Sequence, residues 1–441
     1  MSNITLPKEF SWVDLTNQQF ETALSMGLNS SRDLFFQGRA GSGKSLLIKI
    51  LSSMLKNVVV LSTTGITAVE LCSEKIAAKT IHSFLSIPPY PIIRHDDLLN
   101  MSYKNKKVLN RAEVIIIDEV SMMSNHLFDS ICKKIEMHRD DGSIPRFILF
   151  GDVLQLPPVI NGDKIVNDFY QAEYGGKMMF FNSKFYKSLN FKVVHLRKSY
   201  RQPDMEFADK LFEIGSRDHT AETLEYFNQR VISLQEFEQE HGQYVYMTPT
   251  NKIVDQINNR YMLSLTGKSE TYKASMSKGY PIDKTLNAQE VMIREGAQVM
   301  CLMNSYDERD DHKYSNGMIG EVIDLNKDEV TIKIANGQTR HIGKTTTYLY
   351  EIELDHTGTI RYIPKHWYKQ IDCKICRAAT IHKVQGKQFD AGYVSLQNWV
   401  PQGITYVGLS RLKTLEGLGL SRPLQESDIK VNEESYEFLY G

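Results

Sequence analysis

The sequence predicts an α/β fold of two parallel-sheet units, with a small all-β module inserted into the second. Three observations carry this. Over the first 190 residues, short apolar segments alternate with amphipathic helical stretches, the pattern of βαβ units. The first of those segments runs straight into a glycine-rich loop that opens a helix. From about residue 291 to 362 the pattern changes to short strand-like runs divided by turn signals.

Taken in order, strands are predicted at Leu34–Gln37, Val58–Ser62, Val114–Asp118, Phe147–Phe150 and Lys192–Leu196, with helices between them that include Ser45–Leu55 and Asn125–Met137. Ser86–Lys107 breaks the alternation. Its Pro88, Pro89 and Pro91, followed by Lys104, Lys106 and Lys107, mark a small insertion between sheet elements. A second α/β pattern follows, with a helix around Asp204–Phe212 and a strand at Tyr244–Thr248. The β module is read from Gln298–Leu302, Gly320–Leu325, Val330–Ala335 and Tyr348–Leu354. The turns Asn316-Gly317 and Asn336-Gly337 are strong hairpin cues. The α/β pattern resumes near Ala378. No repeat of 20–50 residues is visible, although two α/β units point to a divergent duplication.

Composition narrows the classes. The 441 residues are 41% hydrophobic and 24% charged, which excludes low-complexity disorder and a collagen-like fibre. Lys and Arg number 52 against 53 Asp and Glu, so bulk positive charge does not drive any nucleic-acid binding; local basic grooves remain open. The most apolar runs, Val58–Leu61 and Val114–Ile117, suit buried strands and are too short to span a bilayer. Met1–Phe10 has no cationic segment ahead of an apolar one, so a cytoplasmic location is expected. Five cysteines make no disulfide framework and point to a reducing compartment. Cys373 and Cys376 form a lone C-x-x-C, read as two reduced thiols with a structural zinc as the alternative.

Gly38-Arg39-Ala40-Gly41-Ser42-Gly43-Lys44-Ser45 fits the phosphate-loop pattern G-x-x-x-x-G-K-[ST] at every fixed position, between a strand and a helix as that loop requires. Gly41, Ser42 and Gly43 turn backbone N–H groups towards a phosphate, the helix start adds partial positive charge, Lys44 reaches the β- and γ-phosphates, and Ser45 can ligate Mg²⁺. The apolar run Val114–Ile117 ends in two acids. Asp118 fits the carboxylate that holds Mg²⁺, and Glu119 the base that activates water, which favours hydrolysis over mere nucleotide binding. After the next strand, in Gly151–Pro158, Gln155 can hydrogen-bond the γ-phosphate and the attacking water; a plain turn is the other reading.

Thr80-Ile81-His82-Ser83-Phe84, Asp118-Glu119-Val120-Ser121-Met122 and Gly151–Pro158 together resemble the Pif1-type superfamily 1B DNA helicases, a group similar to RecD and phage Dda helicases. The resemblance continues through Leu196–Gln202, Thr248–Asn251, Gly296–Val299, Thr380–Gly386 and Tyr406–Arg411, nearly the whole chain. It departs at Ser62-Thr63-Thr64-Gly65, where the family has Ala-Pro-Thr-Gly, and in the segment Asp141–Arg146. The resemblance implies RecA-like motor domains at 1–190 and at 191–290 plus 376–441, a wedge insertion at 85–108, and an SH3-like β module at 291–375.

It further implies an ATP- and Mg²⁺-dependent helicase that moves 5′→3′ on single-stranded DNA, acts at single-strand/duplex junctions as a monomer, and serves DNA replication, repair or telomere maintenance. Residue by residue, Gln19 is implied to read adenine, Arg201 and Arg411 to be arginine fingers, and Gly386 to belong to a motif that couples ATP to DNA. Thr64, Thr80, His82, Ser83 and Phe84 in the first lobe, with Thr250, Asn251, Thr380, His382 and Lys383 in the second, suit a grip on a DNA backbone. For Phe84, base stacking and a core position stay open. The acid-free stretch Ser183–Arg201 reads as a basic rim or a solvated surface. Three rival functions also stay open: a DNA-stimulated ATPase that does not unwind, alone or in a nuclease complex; a nucleotide-regulated switch; and an RNA motor.

Overall fold

The computed structural model describes the chain except residues 1–3, 14–17, 40, 65–66, 69–70, 72–77, 159, 161–162, 197–204, 242–243, 281–286, 304, 306–313, 315–317, 335–336, 355–359, 388 and 398–399, and describes 349–354 and 360–365 by backbone alone. Arg201, Ala40, Gly65, Asn336 and the turn Asn316-Gly317 therefore lie outside the described residues. The chain forms two compact units. The first comprises Met1–Glu236, Gln385–Ala391 and Asn398–Gly441, and the second Phe237–Val384 and Gly392–Gln397.

The first unit is built on a six-stranded parallel sheet: β1 (Leu34–Gly38), β2 (Val58–Ser62), β3 (Lys79–Thr80), β4 (Val114–Asp118), β5 (Arg146–Gly151) and β6 (Lys192–Leu196), in the order β3-β2-β4-β5-β1-β6. The central strands β1, β2, β4 and β5 are largely apolar because both sheet faces are covered. Alternate residues serve opposite faces. Phe35, Leu61, Ile115, Ile117, Phe147 and Leu149 pack in one cluster. Leu34, Phe36, Val60, Ile116, Ile148 and Phe150 pack in another. Lys192–Leu196 lies beyond the 190/191 boundary suggested by the motif pattern, yet it is the edge strand of this sheet, paired with β1 from Leu34↔Lys192 to Gly38↔Leu196. Backbone pairing decides that membership.

The helices of this unit include α1 (Gln18–Asn29), α2 (Lys44–Met54), α3 (Ile81–Leu85), α4 (Tyr103–Arg111) and α5 (Asn125–His138). The insertion around residues 86–107 is anchored to the core. Ile87, Ile93 and Leu98 are buried in the same cluster as the strands. The Ile93 N–H donates to His126 Nε2 at 2.9 Å, and Lys134 Nζ donates to the carbonyls of Asp97 and Asn100 at 3.1 and 2.7 Å. Burial brings His126 down to about 4, so its ring is a neutral acceptor here.

In the second unit, Val245–Thr248 is flanked in parallel by Ala378–Thr380 and Gly392–Val394. Between them lies the β module. A five-stranded antiparallel sheet runs Thr339–Ile342, Val330–Ile334, Ile319–Leu325, Gln298–Cys301, Cys373–Ile375. A long hairpin joins Lys344–Leu354 to Ile360–Ile371, and Ser275–Met276 pairs with its second arm. Val299, Cys301, Val322, Val330, Ile332, Ile342 and Cys373 form the module's core.

Candidate active site and strand-contact residues

The carboxyl ends of β1, β5 and β4 lie side by side, the edge where parallel sheets place their ligands. At the end of β1 the loop turns through Gly41 and Gly43, both with left-handed backbone (φ 80° and 83°), a conformation that costs glycine little. α2 starts directly after. Lys44 Nζ lies along its own loop and donates to the carbonyls of Gly38 and Arg39 at 2.6 and 2.8 Å. Ser45 sits in the first turn of α2.

Asp118 ends β4 and is 2% exposed; its Oδ1 accepts from the Glu119 N–H at 2.9 Å. Glu119 has a left-handed backbone (φ 56°), which is unusual for a residue with a side chain and turns the chain sharply out of the strand. Thr63, which stands where the resembled family has proline, holds this corner. Its hydroxyl donates to the Glu119 carbonyl at 3.0 Å and its N–H to the Asp118 carbonyl at 3.4 Å. A proline would have neither donor. A side chain at Gly386 would approach Glu119 Oε1 to 3.9 Å.

Sequence reasoning missed the centre of this site. Asp152 is fully buried and accepts from Gln37 Nε2 at 2.8 Å, Tyr406 Oη at 2.7 Å, the Leu154 N–H at 3.2 Å and Gln155 Nε2 at 3.3 Å. Gln37 Oε1 in turn accepts from the Val153 N–H at 3.0 Å. Gln155 is itself approached by Gln385, whose Nε2 donates to Gln155 Oε1 at 3.4 Å. One signal was readable: Gln37 is the polar residue of an otherwise apolar strand, and a buried amide needs partners.

Two arginines border the same acid. Arg411 is 2% exposed and gives its donors to Val407 O, Lys387 O and Ser410 Oγ at 2.9, 3.0 and 2.8 Å. Burial lowers its pKa, while the nearby Glu119, Tyr406 and Asp152 oppose that shift. Arg39 donates to the Ala208 carbonyl at 3.1 Å and lies 3.4 Å over the ring of Phe212, on the helix Met205–Ser216 that follows the segment containing Arg201. Gln19 Nε2 donates to the His195 carbonyl at 3.1 Å, tying α1 to β6.

The proposed DNA contacts divide between the units. In the first, the Thr80 hydroxyl caps α3 by accepting the Ser83 N–H at 3.2 Å, Thr64 pairs with Thr67, and Ser83 is exposed. His82 Nδ1 meets the Ile87 carbonyl at 2.9 Å, and burial lowers its pKa. Phe84 is 3% exposed within the core cluster. Of its two readings the structure gives the core position: at that burial the ring has little surface to offer a base. In the second unit, Thr250 and Asn251 follow the strand Val245–Thr248, while His382 and Lys383 follow the neighbouring strand that ends at Thr380, opposite Thr248. All but Thr380 are exposed. One carboxyl edge thus gathers all five. In the basic stretch, Lys184 pairs with Glu173 at 2.7 Å on the surface.

The known proteins that this chain is similar to are helicases. A model of the PIF1-like helicase family matches residues 16–223. The ATP-dependent DNA helicase Pif1 of Campylobacter jejuni is 28% identical over 411 residues, covering 86% of each chain. That of Bdellovibrio bacteriovorus is 27% identical over 430 residues, covering 92% of this chain and 88% of the relative. The crystal structure of a Bacteroides Pif1 helicase in complex with ADP-AlF3 and ssDNA superposes with a TM-score of 0.79 at 26% identity, covering 99% of this chain and 97% of that one.

Proposed function

The chain belongs to the PIF1-like helicase family, and from that premise we propose that it is an ATP-dependent DNA helicase that moves on single-stranded DNA, 5′→3′, and opens duplex. The observation that carries this reading is the line of neighbouring strand ends that brings the phosphate loop, the Asp118-Glu119 pair and Gln155 to one edge.

The donor set fits Mg²⁺. Among the described residues no group of three or more His, Cys, Asp or Glu forms a ready-made metal cage. Mg²⁺ is held by one or two protein oxygens, with phosphate and water completing its shell. Asp118 and Ser45 would hold it, where it would offset charge on the β- and γ-phosphates. The Ser42 hydroxyl, buried and without a hydrogen-bond partner, also suits a phosphate-binding loop.

The protein's own groups supply the rest. Lys44 exchanges its two loop carbonyls for phosphate oxygens. Glu119, aimed by its strained backbone and by Thr63, orients the attacking water and takes its proton. Gln155 contacts the γ-phosphate and passes its loss to Gln385 and Asp152. Arg411, released from Val407 and Lys387, and Arg201 stabilise charge on the transferring phosphoryl. Strand movement follows if the backbone grips formed by Thr64, Thr80 and Ser83 and by Thr250, Asn251, Thr380, His382 and Lys383 hold DNA with different affinity before and after hydrolysis.

The test is phosphate release with and without single-stranded DNA, joined to strand displacement from a tailed duplex. DNA should stimulate hydrolysis, and Lys44→Ala should lower both activities by at least about 100-fold, the scale on which removal of one charge-stabilising group acts. Stimulated hydrolysis without displacement would leave a translocase. Hydrolysis close to zero in both conditions would leave a nucleotide switch.

A further inference from the structure

We propose that the outer face of the long hairpin in the β module is a base-stacking platform for single-stranded DNA, built on Trp367 and Tyr348. The proposal deepens the helicase reading by naming a contact surface within the second unit. Tyr348 and Trp367 stand directly opposite each other on the two arms and are 54% and 39% exposed. Directly opposed residues of an antiparallel pair have Cβ atoms roughly 5 Å apart, so the two rings are close enough to serve one strand of stacked bases.

The surface is rigid from behind. Side chains alternate along a strand, so Tyr368 and Gln370 point the other way from Trp367 and Lys369. Tyr368 Oη donates to the carbonyls of Asn287 and Ala288 at 2.9 and 2.8 Å. Gln370 Nε2 donates to those of Tyr272, Ala288 and Gln289 at 3.1, 2.9 and 3.1 Å. At the strand edge, the Trp367 N–H donates to Ser277 Oγ and the Ser277 N–H donates to the Trp367 carbonyl, at 3.1 and 2.9 Å. Rings on such a backing lose little freedom when a base covers them.

Charge selects the occupant. On the face of Tyr348 and Trp367, alternation places Lys344 and Lys369, and the stretch 344–348 with 366–371 contains no Asp or Glu; the acids of this hairpin arm, Glu351 and Glu353, lie further towards its tip. Exposed aromatic rings among cations and hydroxyls are the combination that holds a polyanion with flat bases irrespective of sequence.

The experiment measures binding of fluorescent oligo-dT to the full chain by anisotropy, together with its intrinsic tryptophan emission; the other tryptophans are Trp12 and Trp399. Trp367→Ala and Tyr348→Ala are expected to weaken binding about 5- to 50-fold each, the range for loss of one stacked base. Hydrolysis measured without DNA should stay at the wild-type rate. Trp367→Phe should keep affinity within about threefold, because phenylalanine also stacks, but lose most of the DNA-induced quenching of emission. Lys369→Ala should reduce the salt dependence by about one ion. If both alanine variants bind as tightly as wild type, or if Trp367→Phe quenches like wild type, the platform is overturned and the helicase reading stands. If the wild-type chain itself binds no oligo-dT, both readings fall together.

Discussion

Four donors converge on Asp152, and one of them, Tyr406, lies five residues before Arg411. The shared acid therefore connects the end of β1, the proposed γ-phosphate sensor Gln155 and the helix Ile404–Leu409 that leads to Arg411. A buried acceptor that loses one of its donors costs about 1–3 kcal/mol, so the loss is felt. Tyr406→Phe keeps the buried ring and removes only the hydroxyl. The expected outcome is a fall of about tenfold in the DNA-stimulated kcat, roughly 1.4 kcal/mol at the transition state, with KM for ATP within about twofold. Steady-state kinetics at saturating single-stranded DNA check this. A rise in KM at unchanged kcat would make the tyrosine a plain binding residue.

At the scale of elements, the insertion at residues 86–107 has two faces with different work. Ile87, Ile93 and Leu98 belong to the core, so deleting the segment would unfold the first unit and tell nothing about a wedge. Leu99 and Tyr103 point outward at 50% and 74% exposure. Replacing Leu99 and Tyr103 together by alanine should lower strand displacement at a fork by about tenfold or more while leaving DNA-stimulated hydrolysis within about twofold, which is what a duplex-splitting edge requires. The β module carries a pH-dependent element of its own. Burial pushes the Asp372 carboxyl up to about 7, against the hydrogen bonds it accepts, including one from Tyr314 Oη at 2.9 Å. Its folded pKa lies above the unfolded value near about 3.9, so folding takes up a proton. The stabilisation is complete below pH ~4 and is lost as pH rises through ~7. Asp372→Asn should therefore flatten the fall in stability between pH ~5 and ~8, which is on the order of 2–4 kcal/mol in the wild type. Thermal melts of the two proteins across that range check it.

For the whole molecule the test is direction. A 5′-tailed duplex should be opened and a 3′-tailed one left intact, and opening from the 3′ tail alone would reverse the proposed polarity. Net charge near zero means that DNA binding must rest on local groups, for which Lys369 and Lys383 are the proposed ones, rather than on overall attraction. Much of this was legible in one dimension. The phosphate loop, the strand ending in Asp118-Glu119 and the hairpins of the β module are local patterns, and local patterns depend on spacing and backbone preference alone. The strands Val58–Ser62, Val114–Asp118 and Lys192–Leu196 occupy the residues that their periodicity predicts. Other features needed the folded chain. Phe84 belongs to the core because the fold buries it in the cluster that also holds strand residues such as Leu61 and Ile117, and Lys192–Leu196 joins the first sheet because β1 has a free edge to pair with. Asp152 became the hub because Gln37 and Tyr406, separated by hundreds of residues, need the same buried acceptor. The sequence by itself determined which chemistry the chain carries; the tertiary structure decided which groups share a partner, since burial and hydrogen-bond satisfaction are properties of neighbours in space.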